Sequence, residues 1–157
     1  LGNPKSVHCK SIKHPSVPKL SDARSSIILE YDKDVRCCLS INHTHDTDNH
    51  GMKHTHAYAR VEGLKGAAYI KFGLLLNYPK GEPEEIEIST DGVEWTKVDN
   101  VGTWFPDAFI GTMSSLQRFA LGEDNELLHS VDNAYETMAV VYACLESNKI
   151  PGTKVSY

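Results

Sequence analysis

Short alternating runs joined by short turns constrain the fold of this chain more than any other feature. Seven such runs occur, at 5–13, 26–31, 35–42, 54–62, 67–74, 86–90 and 93–98. Three pairs of consecutive runs are separated only by the turn-forming segments 32–34, 63–66 and Asp91-Gly92. Connections of this length join antiparallel neighbours, and Asp-Gly is a strong hairpin signal. The sequence therefore predicts an antiparallel meander.

The alternation also separates polar from apolar side chains. Because successive side chains of a strand point to opposite faces, Ile27, Leu29 and Tyr31 should share one face. On the opposite side we expect a polar set, which comprises Arg36, Cys38, Ser40 and Asn42, with His56, Tyr58 and Arg60 nearby. Such a face is either a solvated surface, the wall of a binding cleft or a subunit interface.

The periodicity changes to that of helices after Trp104. Pro106 suits a first helical position, and Gly122 suits the stop that follows. Ser130 is a favourable N-cap for a second helix, which Pro151 closes. The apolar stripes of the two helices are Phe109, Met113, Leu116 and Ala120, and then Ala134, Met138, Val141 and Leu145.

Together these patterns predict an α+β fold in a single domain, 1–157. We expect an open, predominantly antiparallel β-sheet with two amphipathic helices packed on one face. The final TKVSY is expected to add an edge strand.

Composition excludes several classes of partner. A net charge of -5 without a basic stripe offers no surface for nucleic acid or an anionic membrane. No apolar run approaches the roughly 20 residues of a membrane helix, and the opening LGNPKSVHCK lacks the core of a signal peptide. The sequence therefore predicts a cytoplasmic protein. Its four cysteines show no CxxC spacing and are expected to be free, buried thiols.

Five of the eight histidines fall in the segment 42–63. They include two HxH pairs, His43 with His45 and His54 with His56. An HxH pair on a strand directs both imidazoles the same way, as a zinc or iron site would need. The same histidines could equally serve as hydrogen-bonding groups, so a metal-binding module remains an alternative. The sequence contains no GxSxG, GxGxxG or GxxxxGK[ST] motif.

Three stretches carry a resemblance to a known family: LGNPKSV, ARVEGLKGAAYIKFGLLLNYPKG, and the segment that begins WFPDAFIGTM and continues to ESNKIPGT. They resemble the C-terminal domain of the Gfo/Idh/MocA family of NAD(P)-dependent oxidoreductases. The resemblance implies an open antiparallel sheet whose exposed face often forms a homodimer. It also implies one wall of a cleft for a sugar or polyol, with the nicotinamide held by an N-terminal Rossmann domain. That domain and the family's Glu-Lys-Pro segment are absent from 1–157.

The resemblance further implies which residues have a role. By matching position, the substrate-binding residues are Asn42, His43, His45, Trp104, Phe105 and Asp107. The predicted interface residues are Arg36, Ser40, His56, Tyr58 and Arg60. The chain is thus expected to be the substrate-binding and dimerisation domain of a sugar or polyol dehydrogenase, without turnover or bound cofactor when isolated. A self-associating interaction domain is a further alternative.

Overall fold

The computed structural model describes residues 2–13, 24–42, 57–73, 83–100, 102 and 107–156. The chain divides into two compact units, of which the first comprises Leu1–Asn49 with Leu128–Tyr157 and the second His50–Leu127. The described strands are β1 (Ser6–Ile12), β2 (Arg24–Glu30), β3 (Arg36–Asn42), β4 (Tyr58–Gly63), β5 (Gly66–Lys71), β6 (Glu85–Ser89) and β7 (Thr96–Val98). The helices are α1 (Ala108–Ala120), in the second unit, and α2 (Val131–Lys149), in the first.

The first unit contains a three-stranded antiparallel sheet in the order β1-β2-β3. Its second hairpin follows the predicted turn, in which Lys33 and Asp34 both have a φ of 60°. The Tyr31 N–H donates to the Val35 carbonyl at 2.9 Å and closes the turn. Asp tolerates this left-handed conformation better than most residues.

Helix α2 begins and ends where the sequence predicts. The Ser130 hydroxyl accepts a hydrogen bond from the Asn133 N–H at 3.2 Å, which satisfies one of the helix's first unpaired donors. Asp132 adds a negative charge in the first turn, where the helix dipole favours it. The helix ends at Lys149, two residues before Pro151.

Helix α2 packs on β1 through polar side chains as well as apolar ones. The Cys9 N–H donates to Ser147 Oγ at 2.8 Å, and the Ser11 N–H donates to Asn148 Oδ1 at 2.8 Å. Two backbone donors of β1 are therefore satisfied by the helix. Lys10 Nζ also donates to the backbone carbonyl of Asn148 at 3.2 Å, near the helix C-terminus.

The face of α2 that is shielded is not the predicted apolar stripe. The half-buried positions of the helix are Val140, Cys144, Ser147 and Asn148. The predicted stripe is exposed at Met138, Val141 and Leu145. The reason is that Ser147 and Asn148 supply acceptors to β1, so hydrogen bonding as well as apolar area sets the orientation of the helix. Among the described residues, Cys9 is the buried hydrophobic residue, with an exposed fraction of 5%.

The second unit contains a four-stranded antiparallel sheet in the order β4-β5-β6-β7. A tight turn joins β4 to β5, with Gly63 opposite Gly66. Gly66 has a φ of +150°, and a Cβ there would lie 2.3 Å from the carbonyl oxygen of Ser89 on the neighbouring strand. Glycine is therefore required for β5 and β6 to approach at this point.

The third predicted hairpin is present, but its connection is longer than the two residues expected. The last pair of β6 and β7 joins Ile88 to Thr96. Asp91 Oδ1 accepts from the N–H groups of Val93, at 2.9 Å, and Glu94, at 3.0 Å. These side-chain hydrogen bonds compete with the strand ladder and hold the residues after Gly92 in a loop.

Helix α1 ends at a left-handed glycine, as predicted. Gly122 has a φ of +75°, and its N–H donates to the Phe119 carbonyl at 3.1 Å. The α+β class and the open antiparallel character are confirmed, with the described strands forming two sheets. The edge strand expected in the final TKVSY is absent from 153–156, because these residues form no ladder.

Candidate functional site

The sheet of the first unit presents a polar face. Strand pairing places Arg36 opposite Glu30, Ser40 opposite Ser26 and Asn42 opposite Arg24. We call the polar residues of this surface the β1–β3 polar face. They are Ser6, His8, Lys10, Arg24, Ser26, Glu30, Arg36, Cys38, Ser40 and Asn42, and the exposed Ile12 and Ile28 lie on the same side of the sheet. Alternation within β3 thus brings the predicted residues Arg36, Ser40 and Asn42 to one surface.

Glu30 links the strands of this face. Its carboxylate accepts a hydrogen bond from Ser6 Oγ, and His8 Nε2 lies 3.3 Å from Glu30 Oε2. The Ser6 hydroxyl, then His8 and the charge of Arg36, hold the pKa of Glu30 below its ordinary value. The pattern of sequence alternation did not identify Ser6, His8 or Glu30 as a group, because their contacts arise from the β1–β2 register.

The sheet of the second unit presents a second polar face with an aromatic part. The rings of Tyr58 and Tyr69 stack with centroids 6.1 Å apart and an interplanar angle of 28°. Arg60 Cζ lies 5.6 Å from the centre of the Trp95 ring, within the range of a cation–π interaction. Arg60 Nε also lies 2.5 Å from Glu62 Oε1. The predicted interface residues Tyr58 and Arg60 are therefore held in place by their neighbours.

Charges of both signs continue across this sheet. Lys71 Nζ donates to Glu85 Oε1 at 2.8 Å, and this hydrogen bond with Lys71 is the main reason that the pKa of Glu85 is lowered. Lys97 on β7 lies directly opposite Glu87 on β6 in the strand register. We call this set the β4–β7 polar face, and it consists of Tyr58, Arg60, Glu62, Tyr69, Lys71, Glu85, Glu87, Trp95 and Lys97.

Two of the predicted substrate-binding residues are described. Asn42 is the exposed last residue of β3. Asp107 precedes α1, and its carbonyl accepts from the Ile110 N–H at 3.0 Å. A Cβ at Gly102, whose φ is +103°, would lie 3.0 Å from Asp107 Oδ2, so the carboxylate depends on a glycine there. Nothing in the sequence linked Gly102 to Asp107, since Gly102 stood out only as a glycine two residues before Trp104.

The remaining predicted residues lie outside the described part of the chain. They are His43, His45, Trp104 and Phe105 of the substrate set, His56 of the interface set, and His54 with His56 of the metal set.

The described residues do not form the dinucleotide-binding arrangement of a Rossmann fold. Dinucleotides bind at the carboxyl ends of parallel strands, beside the N-terminus of a helix that follows a glycine-rich turn. All strand pairs described here are antiparallel, and the sequence lacks the glycine-rich motif. Within the same described ranges, no three His, Cys, Asp or Glu side chains converge as a metal site would require. Neither described helix has the length and apolarity needed to cross a membrane.

Comparison with solved structures identifies the fold. The chain superimposes on aldose-aldose oxidoreductase from Caulobacter crescentus, solved with glycerol, with a TM-score of 0.65 and 14% identity over 94% of this chain and 39% of that one. It also superimposes on an oxidoreductase from Agrobacterium radiobacter, solved with NAD+, L-tartaric acid and magnesium, with a TM-score of 0.64 and 13% identity. That match covers 94% of this chain and 42% of the other. The sequence matches no family model and no curated protein.

These matches show a fold that the chain shares with part of several oxidoreductases. The chain spans about two fifths of the length of these structures.

Proposed function

We propose that this chain is the C-terminal, substrate-binding and dimerisation domain of a nicotinamide-dependent sugar or polyol dehydrogenase of the Gfo/Idh/MocA type. The observation that carries the proposal is the shared fold, which covers more than nine tenths of this chain and only about two fifths of the oxidoreductases. The residue motifs WFPDAFIGTM and ARVEGLKGAAYIKFG point to the same family. In the full-length enzyme, a part that corresponds to the other three fifths of those oxidoreductases would supply the cofactor site.

The ligands of the structural neighbours support a hydroxylated substrate. One neighbour was solved with glycerol and another with L-tartaric acid, and both molecules carry vicinal hydroxyl groups. Amide, imidazole and carboxylate groups hydrogen-bond such hydroxyls, which are the groups that Asn42, His43, His45 and Asp107 would provide. Trp104 and Phe105 would offer an apolar surface to the carbon skeleton.

The β4–β7 polar face supports the dimerisation part of the proposal. It combines stacked aromatic rings with charges of both signs, as in the Arg60–Glu62 and Lys71–Glu85 pairs. A surface of alternating charge can match a copy of itself across a two-fold axis, because each positive group can meet a negative one. The same face favours the second candidate, a self-associating interaction domain, should the chain function without a cofactor domain.

The length of the polypeptide in its native cell tests the dehydrogenase proposal first. We expect intact-mass measurement and N-terminal sequencing to find a chain longer by a Rossmann-sized domain, about 100–150 residues. A native chain that begins near Leu1 would contradict the dehydrogenase and leave the interaction domain.

Activity of that native-length polypeptide then tests the predicted substrate site. We expect NAD(P)-dependent oxidation of a polyol, with a KM that rises about 3- to 10-fold in Asn42→Ala through loss of one hydrogen bond. Asn100→Ala is the matched control, since Asn100 lies near Glu84 and outside the predicted site, with a 3.4 Å contact between the two side chains. Equal effects of the two substitutions on KM would remove Asn42 from the substrate site.

A further inference from the structure

We propose that Cys9 and Cys144 form a redox-active thiol pair, which a hydroperoxide converts into a disulfide joining β1 to α2. This modification site lies within the first unit and goes beyond the proposed function. Cys9 is buried on β1, and Cys144 is half-buried on α2. Both are free thiols in the structure.

The docking of α2 on β1 brings the two residues together. Ser147 accepts from the Cys9 N–H and Asn148 accepts from the Ser11 N–H, both at 2.8 Å. Positions 144, 147 and 148 are spaced i, i+3 and i+4, so they share one face of the helix. Cys144 therefore faces β1 one turn before the two hydrogen-bonding residues, on the side where Cys9 is buried.

The surroundings of Cys144 raise its pKa. Burial is the main cause, and the neighbouring Cys9 adds to the effect. A raised pKa lowers the thiolate fraction at neutral pH. The pair should consequently remain reduced until an oxidant is abundant, and should react faster as the pH rises.

The reaction proceeds in two balanced steps. The Cys144 thiolate attacks one oxygen of the hydroperoxide, the O–O bond breaks, and protonation of the leaving oxygen gives water or an alcohol and a sulfenic acid. Cys9 Sγ then attacks Cys144 Sγ, the S–O bond breaks, and water leaves with the Cys9 proton. Two thiols are oxidised to one disulfide, and the peroxide accepts both electrons.

The other two cysteines provide an internal comparison. Cys37 and Cys38 are consecutive residues of β3, so their side chains point to opposite faces of the sheet. Cys38 is exposed and should therefore be oxidised readily, while the Cys37 thiol lies on the opposite face of the sheet.

Peptide mapping of the 157-residue chain tests the proposal directly. The protein is treated with hydrogen peroxide at pH 7 and pH 8.5, quenched with an alkylating reagent, denatured and digested with trypsin. We expect peptides 6–10 and 119–149 to appear as one species, about 2 Da lighter than their sum, and to separate on reduction. The linked fraction should form several-fold faster at pH 8.5, because more Cys144 is ionised.

Two results would overturn the proposal. One is a Cys144 oxidised to sulfinic acid while Cys9 is still alkylated. The other is that both thiols stay unmodified at pH 8.5 when the peroxide concentration is raised well above the one that fully oxidises Cys38. In Cys144→Ser the linked species must disappear while oxidation of Cys38 is unchanged, and this variant retains Ser147 and Asn148 for docking.

Discussion

At the scale of single residues, Asp91 determines the shape of the β6–β7 connection. Its carboxylate accepts from the N–H groups of Val93 and Glu94 and from the Ser89 hydroxyl, and these bonds lower its pKa below the ordinary value of 3.8. A lowered pKa in the folded state means that the anion contributes stability above the unfolded-state pKa. That contribution is lost as the pH falls through the lowered value.

We therefore expect the stability difference between the wild type and Asp91→Asn to shrink on acidification from pH 5 to pH 2. The asparagine can still accept two backbone hydrogen bonds but carries no charge. Urea unfolding at the two pH values measures the difference, with Asp91→Ala expected to be less stable than Asp91→Asn at both. If the difference in free energy of unfolding between the wild type and Asp91→Asn stays constant with pH, the charge of Asp91 contributes nothing to stability.

The same residue shows what alternation could and could not predict. Asp91-Gly92 correctly indicated a hairpin, because the dipeptide favours a reversal of the chain. The length of the connection was wrong, since the Asp91 side chain takes backbone donors that a two-residue turn would leave to the strands. Such competition depends on side-chain geometry that spacing alone does not contain.

At the scale of secondary structure elements, the β1–α2 contact depends on two polar side chains. Ser147 and Asn148 accept hydrogen bonds from backbone N–H groups of β1 that would otherwise lack these partners. We expect Ser147→Ala and Asn148→Ala each to lower the free energy of unfolding by about 1 kcal/mol, because a partly buried backbone donor then loses its acceptor. Urea denaturation measures the change.

Glu146→Ala is the control for these substitutions. It lies on the same helix turn, and its 2.6 Å ion pair with Lys149 is exposed to solvent. An exposed pair contributes little, so the change should stay within about 0.5 kcal/mol. A control as destabilising as Asn148→Ala would show that truncating any side chain on this turn has the same effect, so the loss could not be assigned to docking.

The bounds of α2 and the end of α1 were predictable, but helix orientation was not, and α1 begins at Ala108 rather than at the predicted Pro106. The N-cap Ser130, the stop at Gly122 and the breaker Pro151 are local signals that act on the backbone nearby, and the structure confirms all three. The orientation of α2 depends on which backbone N–H groups of β1 lack an acceptor within the sheet. That is set by the strand and not by the sequence of the helix. An apolar stripe therefore identified the helix without identifying its docked face.

At the scale of the whole molecule, the two-residue period of strands predicted a single polar face, whereas the described strands place its residues in two sheets. Arg36, Ser40 and Asn42 share one face and Tyr58 with Arg60 another. The aromatic partners of these residues were not predicted, since Tyr69 and Trp95 reach them through strand register. The substrate set that includes His43, His45, Trp104 and Phe105 stays a prediction, because those residues lie outside the described ranges.

The β4–β7 polar face leads to a prediction about assembly. In a two-fold dimer each substitution is present twice, so reversing the charge of Arg60 places new repulsion on both sides of the interface. Tyr58→Glu removes an exposed ring that stacks on Tyr69. The new glutamate also adds a second negative charge, next to the one that Arg60→Glu introduces. We expect the double variant Tyr58→Glu/Arg60→Glu to weaken self-association at least 10-fold, with the helical circular dichroism unchanged.

Sedimentation velocity measures this change against the monomer mass of 17.4 kDa. Lys65→Glu makes the same charge reversal as Arg60→Glu at an exposed position of the β4–β5 turn, away from the polar face. The control should therefore sediment as the wild-type dimer, while the double variant sediments as a monomer at the same concentration. If Lys65→Glu dissociates the dimer equally, net charge rather than this face governs assembly. A wild-type chain that is monomeric at high micromolar concentration would remove the β4–β7 polar face as a homodimer interface.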